Sequence, residues 1–275
     1  MQFDFGRNWA EFSQKALTPE RVEQARTDFY SLMECVKLQD KSFLDIGFGQ
    51  GLSLLIAAES GAQVVGLDIN PRCAEVLAAN RKFFSGLDIR TTLPVVVGSI
   101  LDPGRIALVR QLSNRPDHTF DVVHSWGVLH HTGALWQALE NAISLTAPEG
   151  FLVAAIYNTH WSSRWWKIIK RAFARLPPII QRASALAFCP AIALAKVLVT
   201  RENPFRQNRG MDFYYDVVDW VCGYPYEHAT LDEVASFLEK KGFSNRKTIR
   251  TRPANPYRTF SLHVITRQSW IRIGM

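Results

Sequence analysis

The sequence predicts an α/β protein built on a parallel sheet with helices on both faces. Three observations carry this. Residues 42–158 alternate short apolar runs with stretches of helical length, at the spacing of successive βα units. The first run, Phe43, Leu44 and Ile46, passes directly into Gly47, Gly49 and Gly51, and an apolar helical pattern follows from Leu52. The second run, Gln63 to Leu67, ends in Asp68, 21 residues after Gly47. A strand, a glycine turn and a helix N-terminus form a cradle for a nucleotide-like ligand, because glycine lets the backbone turn sharply and approach it closely. An acid at the end of the second strand, at this spacing, is placed to meet ribose hydroxyls.

Composition sets the outer bounds. The chain has 275 residues, enough for one large domain or a domain with an insertion. Its four cysteines, Cys35, Cys73, Cys189 and Cys222, show no paired spacing, so neither a disulfide framework nor a zinc site is expected and a cytoplasmic location is. Asp216, Asp219 and His228 lack a tight ligand pattern, and no metal is expected. The N-terminus lacks the basic-then-apolar plan of a signal peptide, and no uncharged apolar run approaches the ~18 residues of a membrane span. The net charge of +7 is unevenly spread. Residues 160–210 carry +9 and residues 243–275 carry +7, which leaves −9 on the remainder.

The elements follow in order. Phe3 to Trp9 reads as a loop, after which Thr18 caps a helix that opens at Pro19 and runs to about Val36. Strands are expected near 42–46, 63–67, 93–98, 120–125 and 151–157, and helices near 51–60, 71–84, 104–113 and 134–146. Residues 159–226 then interrupt the alternation. Ser163 to Leu176 is a cationic amphipathic helix, with Trp165, Trp166, Ile168, Ile169, Ala172, Phe173 and Leu176 on one face and Arg164, Lys167, Lys170, Arg171 and Arg175 on the other. Pro177 and Pro178 stop it, and an apolar stretch from Ala183 to Ala195 follows, broken by Pro190. Residues 203–210 read as a loop and Met211 to Trp220 as an aromatic, acidic stretch. The core plan returns with a helix from Leu231 to Lys241, which Thr230 and Glu233 open as a capping box and Gly242 ends. Strands near 245–251 and 259–266 complete the chain.

Three stretches carry a family resemblance. Leu44-Asp45-Ile46-Gly47-Phe48-Gly49-Gln50-Gly51 resembles the first motif of class I S-adenosylmethionine-dependent methyltransferases, with Phe48 where the family often has Cys or Ala. Val65-Gly66-Leu67-Asp68 resembles the second, and the run from Phe120 to Thr132 is similar to the fourth. The nearest group is that of small-molecule enzymes related to ubiquinone-type O-methylases (types 11 and 12). Residues 126–133, Asp219-Trp220 and Gly223-Tyr224-Pro225 are similar to a bacterial subgroup of it.

The resemblance implies a Rossmann-like, seven-stranded sheet whose last two strands form an antiparallel edge, with a mainly helical insertion after the fifth strand. Residues 1–41 would form an N-terminal helical cap, 42–158 and 227–275 the catalytic core, and 159–226 the insertion, acting as lid or substrate cap. The implied cofactor is S-adenosylmethionine, contacted by Asp45, Gly47, Gly49, Gly51, Asp68, Ile69, Ser99, Ile100, Ser125 and Trp126, with Trp9 closing from the N-terminal segment.

Methyl transfer from a sulfonium is an in-line displacement, so nucleophile, methyl carbon and sulfur must be held collinear and water excluded. A hydroxyl acceptor also needs a base. His130 and His131 follow the fourth strand, at the sheet edge where ligands of open α/β sheets bind, and His131 is the favoured base. Candidate acceptor contacts are Asn158, Arg209, Asp216 and Tyr224. Ser125-Trp126-Gly127-Val128 stands where an amide or N6-adenine methylase would carry an Asn/Asp-Pro-Pro-aromatic run.

Three function classes follow: a small-molecule methyltransferase, most simply O-directed; an RNA methyltransferase that uses basic segments 160–210 and 243–275 as a phosphate-binding face; and a non-catalytic binding protein on the same fold. The first is favoured, since the basic helix carries clustered Trp and no appended RNA-binding motif is visible. No protein partner is inferred. The cationic helix can lie over the core as a lid, or rest peripherally on an anionic membrane at the inner face.

Overall fold

The computed structural model describes residues 3–33, 36–88, 90–201, 203, 210–250 and 260–267. Strands β1 (Ser42–Ile46), β2 (Gln63–Asp68), β3 (Val95–Val97), β4 (Phe120–Trp126) and β5 (Thr146–Tyr157) lie parallel in the order β3-β2-β1-β4-β5. Beyond β5, β7 (Phe260–Arg267) pairs antiparallel with it, and β6 (Phe243–Arg250) pairs antiparallel with β7 at the edge. All five residues of β1 are buried, as a central strand covered on both faces must be.

Neighbouring residues along each strand enter opposite cores, because side chains alternate across a pleated strand. Phe43, Val122 and Val153 pack with helices α2 (Pro19–Leu32) and α3 (Leu52–Glu59) on one face. Leu44, Val123 and Leu152 pack with α5 (Pro103–Gln111), α6 (Leu135–Leu145) and α10 (Leu231–Lys240) on the other. Helix α4 (Arg72–Asn80) follows β2. The caps act as the sequence implies. Thr18 Oγ1 accepts from Arg21 N at 3.4 Å, and Thr230 and Glu233 form the reciprocal capping box at the start of α10.

The N-terminal segment differs from the sequence reading. Phe5–Lys15 is a helix, α1, rather than a loop up to Trp9. Asp4 starts it by accepting from Arg7 N at 3.0 Å, a capping signal the sequence already contained.

Residues 159–226 leave the core at Asn158 and return beside it. Asn158 bridges to Ala229, Thr159 N donates to Ala229 O at 3.1 Å, and Ala229 N donates to Tyr157 O at 3.0 Å. Between these points lie α7 (Ser163–Phe173), α8 (Pro178–Thr200) and α9 (Phe213–Cys222). Helix α8 runs through Pro190, although an internal proline removes one backbone bond and crowds the preceding turn. Tertiary packing holds it: Ile192 of α8 joins Val217, Val221 and Cys222 of α9 in a third core, against Phe173 and Phe188.

Lys170 also departs from expectation. The helical pattern placed it on the water-facing side of α7, whereas the structure buries it completely. Its Nζ donates to the Trp220 carbonyl and lies 5.7, 5.2 and 4.9 Å from the ring centres of Tyr157, Trp220 and Tyr226. Ring faces and a carbonyl replace part of the water the ammonium gives up. Among the described residues, Cys73, Cys189 and Cys222 are free thiols, and no group of three or more His, Cys, Asp or Glu converges as a metal site. No helix among them is long and apolar enough to cross a membrane.

Candidate active site

A cavity of about 560 Å³ opens above the carboxyl ends of β1 to β5. Its floor is the turn after β1. Gly47 has φ +73° and a Cβ there would lie 2.4 Å from Val128 Cγ2, so both the conformation and the space require glycine. Gly49 has φ +55°, and its Cβ would lie 3.0 Å from the indole nitrogen of Trp9, because α1 lies across this turn. Asp68 closes the turn by accepting from Gly49 N at 3.0 Å and Asn70 N at 2.9 Å. Burial pushes its carboxyl above the usual range, while those two N–H groups pull it back.

Beside the turn, Asp45 and His124 face each other across the β1–β4 ladder. His124 Nδ1 lies 2.7 Å from Asp45 Oδ1, with both side chains buried. The imidazole stacks between Phe43 and Trp126, at interplanar angles of 25° and 21°. Two buried polar atoms of this cavity wall, His124 Nε2 and Gln50 Oε1, have no hydrogen-bond partner among the described residues. Buried polar atoms are normally satisfied, so an unsatisfied pair lining a cavity marks where a polar ligand group is expected.

The opposite wall is assembled from distant parts of the chain. Phe3 and Phe5 come from the N-terminal segment, His131 from the single turn of 3-10 helix after β4, Tyr157 from β5, and Phe213, Asp216, Val217, Asp219 and Trp220 from α9. Asn8 ties α1 to α9, donating to Asp219 Oδ1 at 2.7 Å and to Tyr215 O at 3.2 Å. Burial raises the Asp219 carboxyl well above its ordinary range, and the Asn8 bond opposes the shift.

His131 Nδ1 lies 2.6 Å from the Pro225 carbonyl, which can only accept, so Nδ1 carries the proton and Nε2 holds the lone pair. Burial and the nearby Lys170 charge lower the His131 pKa to about 3. A neutral imidazole of fixed tautomer results. Burial likewise lowers Lys170 to about 7.

The residues singled out from sequence divide into three sets. Asp45, Gly47, Gly49, Asp68, Ile69, Ser99, Ile100, Trp126, Trp9, His131 and Asp216 line the cavity. Five others do not appear in its wall. Ser125 Oγ donates to Ile46 O at 3.1 Å beneath the floor, because its side chain alternates away from those of His124 and Trp126. Gly51 opens α3 with its N–H on Phe48 O. His130 is fully buried behind His131, its Nδ1 accepting from Tyr157 N at 3.2 Å, and is placed to hold β5 rather than to reach a ligand. Asn158 lies at the insertion's entry, and Tyr224 gives its carbonyl to Phe3 N at 3.0 Å. Arg209 lies outside the described residues. Sequence reasoning missed His124, Gln50 and the cavity-facing role of Phe3 and Phe5. His124 carried no local signal, because Asp45 lies 79 residues earlier and only the β1–β4 register brings the two together.

This glycine turn, with its strand-end acid and a roofed cavity over the carboxyl edge of the sheet, has the build of a class I methyltransferase. The chain belongs to the methyltransferase domain family, whose model matches residues 18–247. It is similar to the ubiquinone biosynthesis O-methyltransferase of Rhodopseudomonas palustris (strain BisB18), 29% identical over 120 residues, 44% of this chain and 41% of that one. It also resembles a putative protein N5-glutamine methyltransferase of Methanocaldococcus jannaschii, 37% identical over 67 residues, 24% of this chain and 34% of that one. The chain thus spans less than half the length of these curated relatives. Among solved structures, magnesium protoporphyrin IX methyltransferase from Synechocystis PCC 6803 with bound SAH superposes with a TM-score of 0.53 at 14% identity, over 90% of this chain and 83% of that one. At that identity the likeness speaks to the fold.

Proposed function

We propose that the chain is an S-adenosylmethionine-dependent methyltransferase acting on a small-molecule acceptor, most simply at oxygen. The observation that carries this reading is the pair of unsatisfied buried atoms, His124 Nε2 and Gln50 Oε1, in the same cavity as the glycine turn and Asp68. Strand order orients the ligand. With adenine beside Ser99 and Ile100 after β3, and ribose at Asp68 of β2, the amino-acid end falls over β1 and β4, where the unsatisfied atoms lie. The cofactor, when bound, supplies a methyl group on a sulfonium.

The remaining tasks fall to the chain. Residues 3–15 and α9 roof the cavity and keep water out. Phe5, Tyr157 and Trp220 supply an apolar wall suited to a flat or lipophilic acceptor, and Asp216 a polar contact. His131 Nε2 accepts a hydrogen bond from the acceptor hydroxyl and aims its oxygen at the methyl carbon. With a pKa of about 3, His131 orients the hydroxyl better than it stores a proton at neutral pH: as the C–O bond forms and the methyl–sulfur bond breaks, the hydroxyl proton passes to Nε2 and is given up to solvent when the product leaves. In domain terms, 42–158 and 227–275 form the catalytic core, 1–41 a cap and 159–226 a lid over the acceptor.

The RNA alternative is not supported: among the described residues no Lys or Arg lines the cavity. Amide methylation has no Asn/Asp-Pro-Pro-aromatic run to hold the planar amide, since Ser125-Trp126-Gly127-Val128 stands there.

Calorimetry with S-adenosylhomocysteine tests the cofactor assignment. Binding is expected, and Asp68→Ala should weaken it by about 1.5–3 kcal/mol through loss of a charged acceptor. No binding by the wild-type chain would overturn the reading. A screen of phenolic and other hydroxylated acceptors, followed by mass spectrometry of the products, tests the methylated atom.

A further inference from the structure

We propose that the outward faces of α7 and α8 dock on an anionic lipid surface. This deepens the methyltransferase reading by naming the side from which a lipid-soluble acceptor would arrive.

Both helices pack on α9 with one side and leave apolar side chains on the other. On α7 the apolar arc expected from sequence splits in two. Trp166, Ile169 and Phe173 turn inward, Trp166 against Trp220 at 4.3 Å between ring centres. Trp165 and Ile168 remain 65% and 64% exposed, with Trp161 81% exposed just before the helix. Successive residues advance by about 100°, so Arg164, Lys167, Arg171 and Arg175 form a stripe directly beside Trp165, Ile168 and Ala172, and all four are exposed. On α8, Ile192 turns inward, while Ile179, Leu186, Leu194 and Leu198 are exposed, Leu198 at 70%. Helix α8 reaches the cavity, which Ile192 lines directly, and α7 adjoins it through Trp220 of α9, the partner of Trp166 and Lys170.

Charge selects the occupant. No Asp or Glu occurs from His160 to Arg201. A second copy seated on this face by a two-fold axis would bring the cationic stripe against itself. RNA would match the cations but leave the tryptophan and aliphatic side chains against a hydrated, charged backbone. An anionic bilayer satisfies both halves at once: rings and aliphatic chains enter the headgroup and acyl boundary, and Arg and Lys meet phosphates.

The test uses the full chain with vesicles of phosphatidylcholine alone and of phosphatidylcholine with phosphatidylglycerol. Co-sedimentation is expected with the anionic vesicles and not the neutral ones, falling as salt rises. Brominated lipid should quench tryptophan emission, and Trp165→Ala with Ile168→Ala should reduce the bound fraction about tenfold. Both positions are exposed, and unchanged S-adenosylhomocysteine affinity of the variant confirms its fold. Cofactor binding is measured without vesicles, so failure of the methyltransferase reading and failure of the docking proposal are separate results. Absence of binding to anionic vesicles, or equal binding by wild type and variant, overturns the proposal. So does a dimer in solution that the same substitutions convert to monomer.

Discussion

The floor and the roof of the cavity are built in opposite ways. The floor comes from short contiguous stretches: Asp45 to Gln50 form one turn, and Asp68 binds that turn across one strand. The roof comes from three remote parts of the chain, with Asn8 of α1 holding Asp219 of α9 and Phe3 N bonded to Tyr224 O. The floor is fixed by backbone conformation and hydrogen bonds to main-chain N–H groups. The roof is fixed by side-chain packing and by buried ionisable groups whose charge states depend on neighbours. Substitutions in the floor should therefore act on cofactor affinity, and those in the roof on turnover and on the pH dependence of stability.

The largest effect is expected at Gly47. Gly47→Ala adds the cost of positive φ and a Cβ 2.4 Å from Val128, and should lower S-adenosylhomocysteine affinity at least about 100-fold. Unchanged affinity would mean that the turn does not hold the ligand. Next is His131 in the roof. His131→Asn should lower turnover about 10- to 100-fold, short of the loss of a general base, with cofactor affinity unchanged. Because its pKa is about 3, wild-type turnover should show no rate limb near pH 6–7 that His131→Asn abolishes. Such a limb would make His131 the base, as the sequence suggested.

His124 sharpens the boundary between the two regions. His124→Asn should weaken S-adenosylhomocysteine about tenfold through a lost polar contact, yet leave methylthioadenosine, which lacks the amino-acid end, unaffected. Equal weakening of both ligands would place His124 elsewhere along the cofactor.

The last effect falls on stability rather than on binding or turnover, and it is a slope in pH. Folding lowers the Lys170 pKa from 10.5 to about 7. Between those values the unfolded chain holds a proton that the folded chain has released, so the contribution is present above about 10.5 and is lost as pH falls through 7. Lys170 should add up to about 1.4 kcal/mol of stability per pH unit across that window. Denaturant titrations of wild type and Lys170→Met at several pH values should differ by this slope. Parallel curves would show that the ammonium is hydrated.

Legibility follows the same division. The βα alternation, the glycine turn and Asp68 could be read because each depends on residues close in sequence, whose spacing alone sets the geometry. Helix starts at Thr18 and Thr230 were legible for the same reason, since a cap and its N–H lie within three residues. Asp4 gave the same signal for α1, but Phe3 to Trp9 has no apolar period to attract the assignment.

What the chain alone determined is the βα alternation of a parallel sheet and the cofactor-side turn, because strand alternation, capping and glycine conformation are local properties of the backbone, whereas the order of the strands came from the structure. What only the tertiary structure decided is which atoms are left without partners and which charges go inside. Asp45 reveals nothing in sequence about His124, 79 residues later. Lys170 belongs by helical period to the cationic face, yet three aromatic rings and the Trp220 carbonyl draw it inward. The tautomer of His131 depends on Pro225, 94 residues away, and its depressed pKa on burial and the Lys170 charge, which no local pattern encodes. Such properties depend on solvent exclusion and the nearest charges in space, and those are set by how distant segments pack.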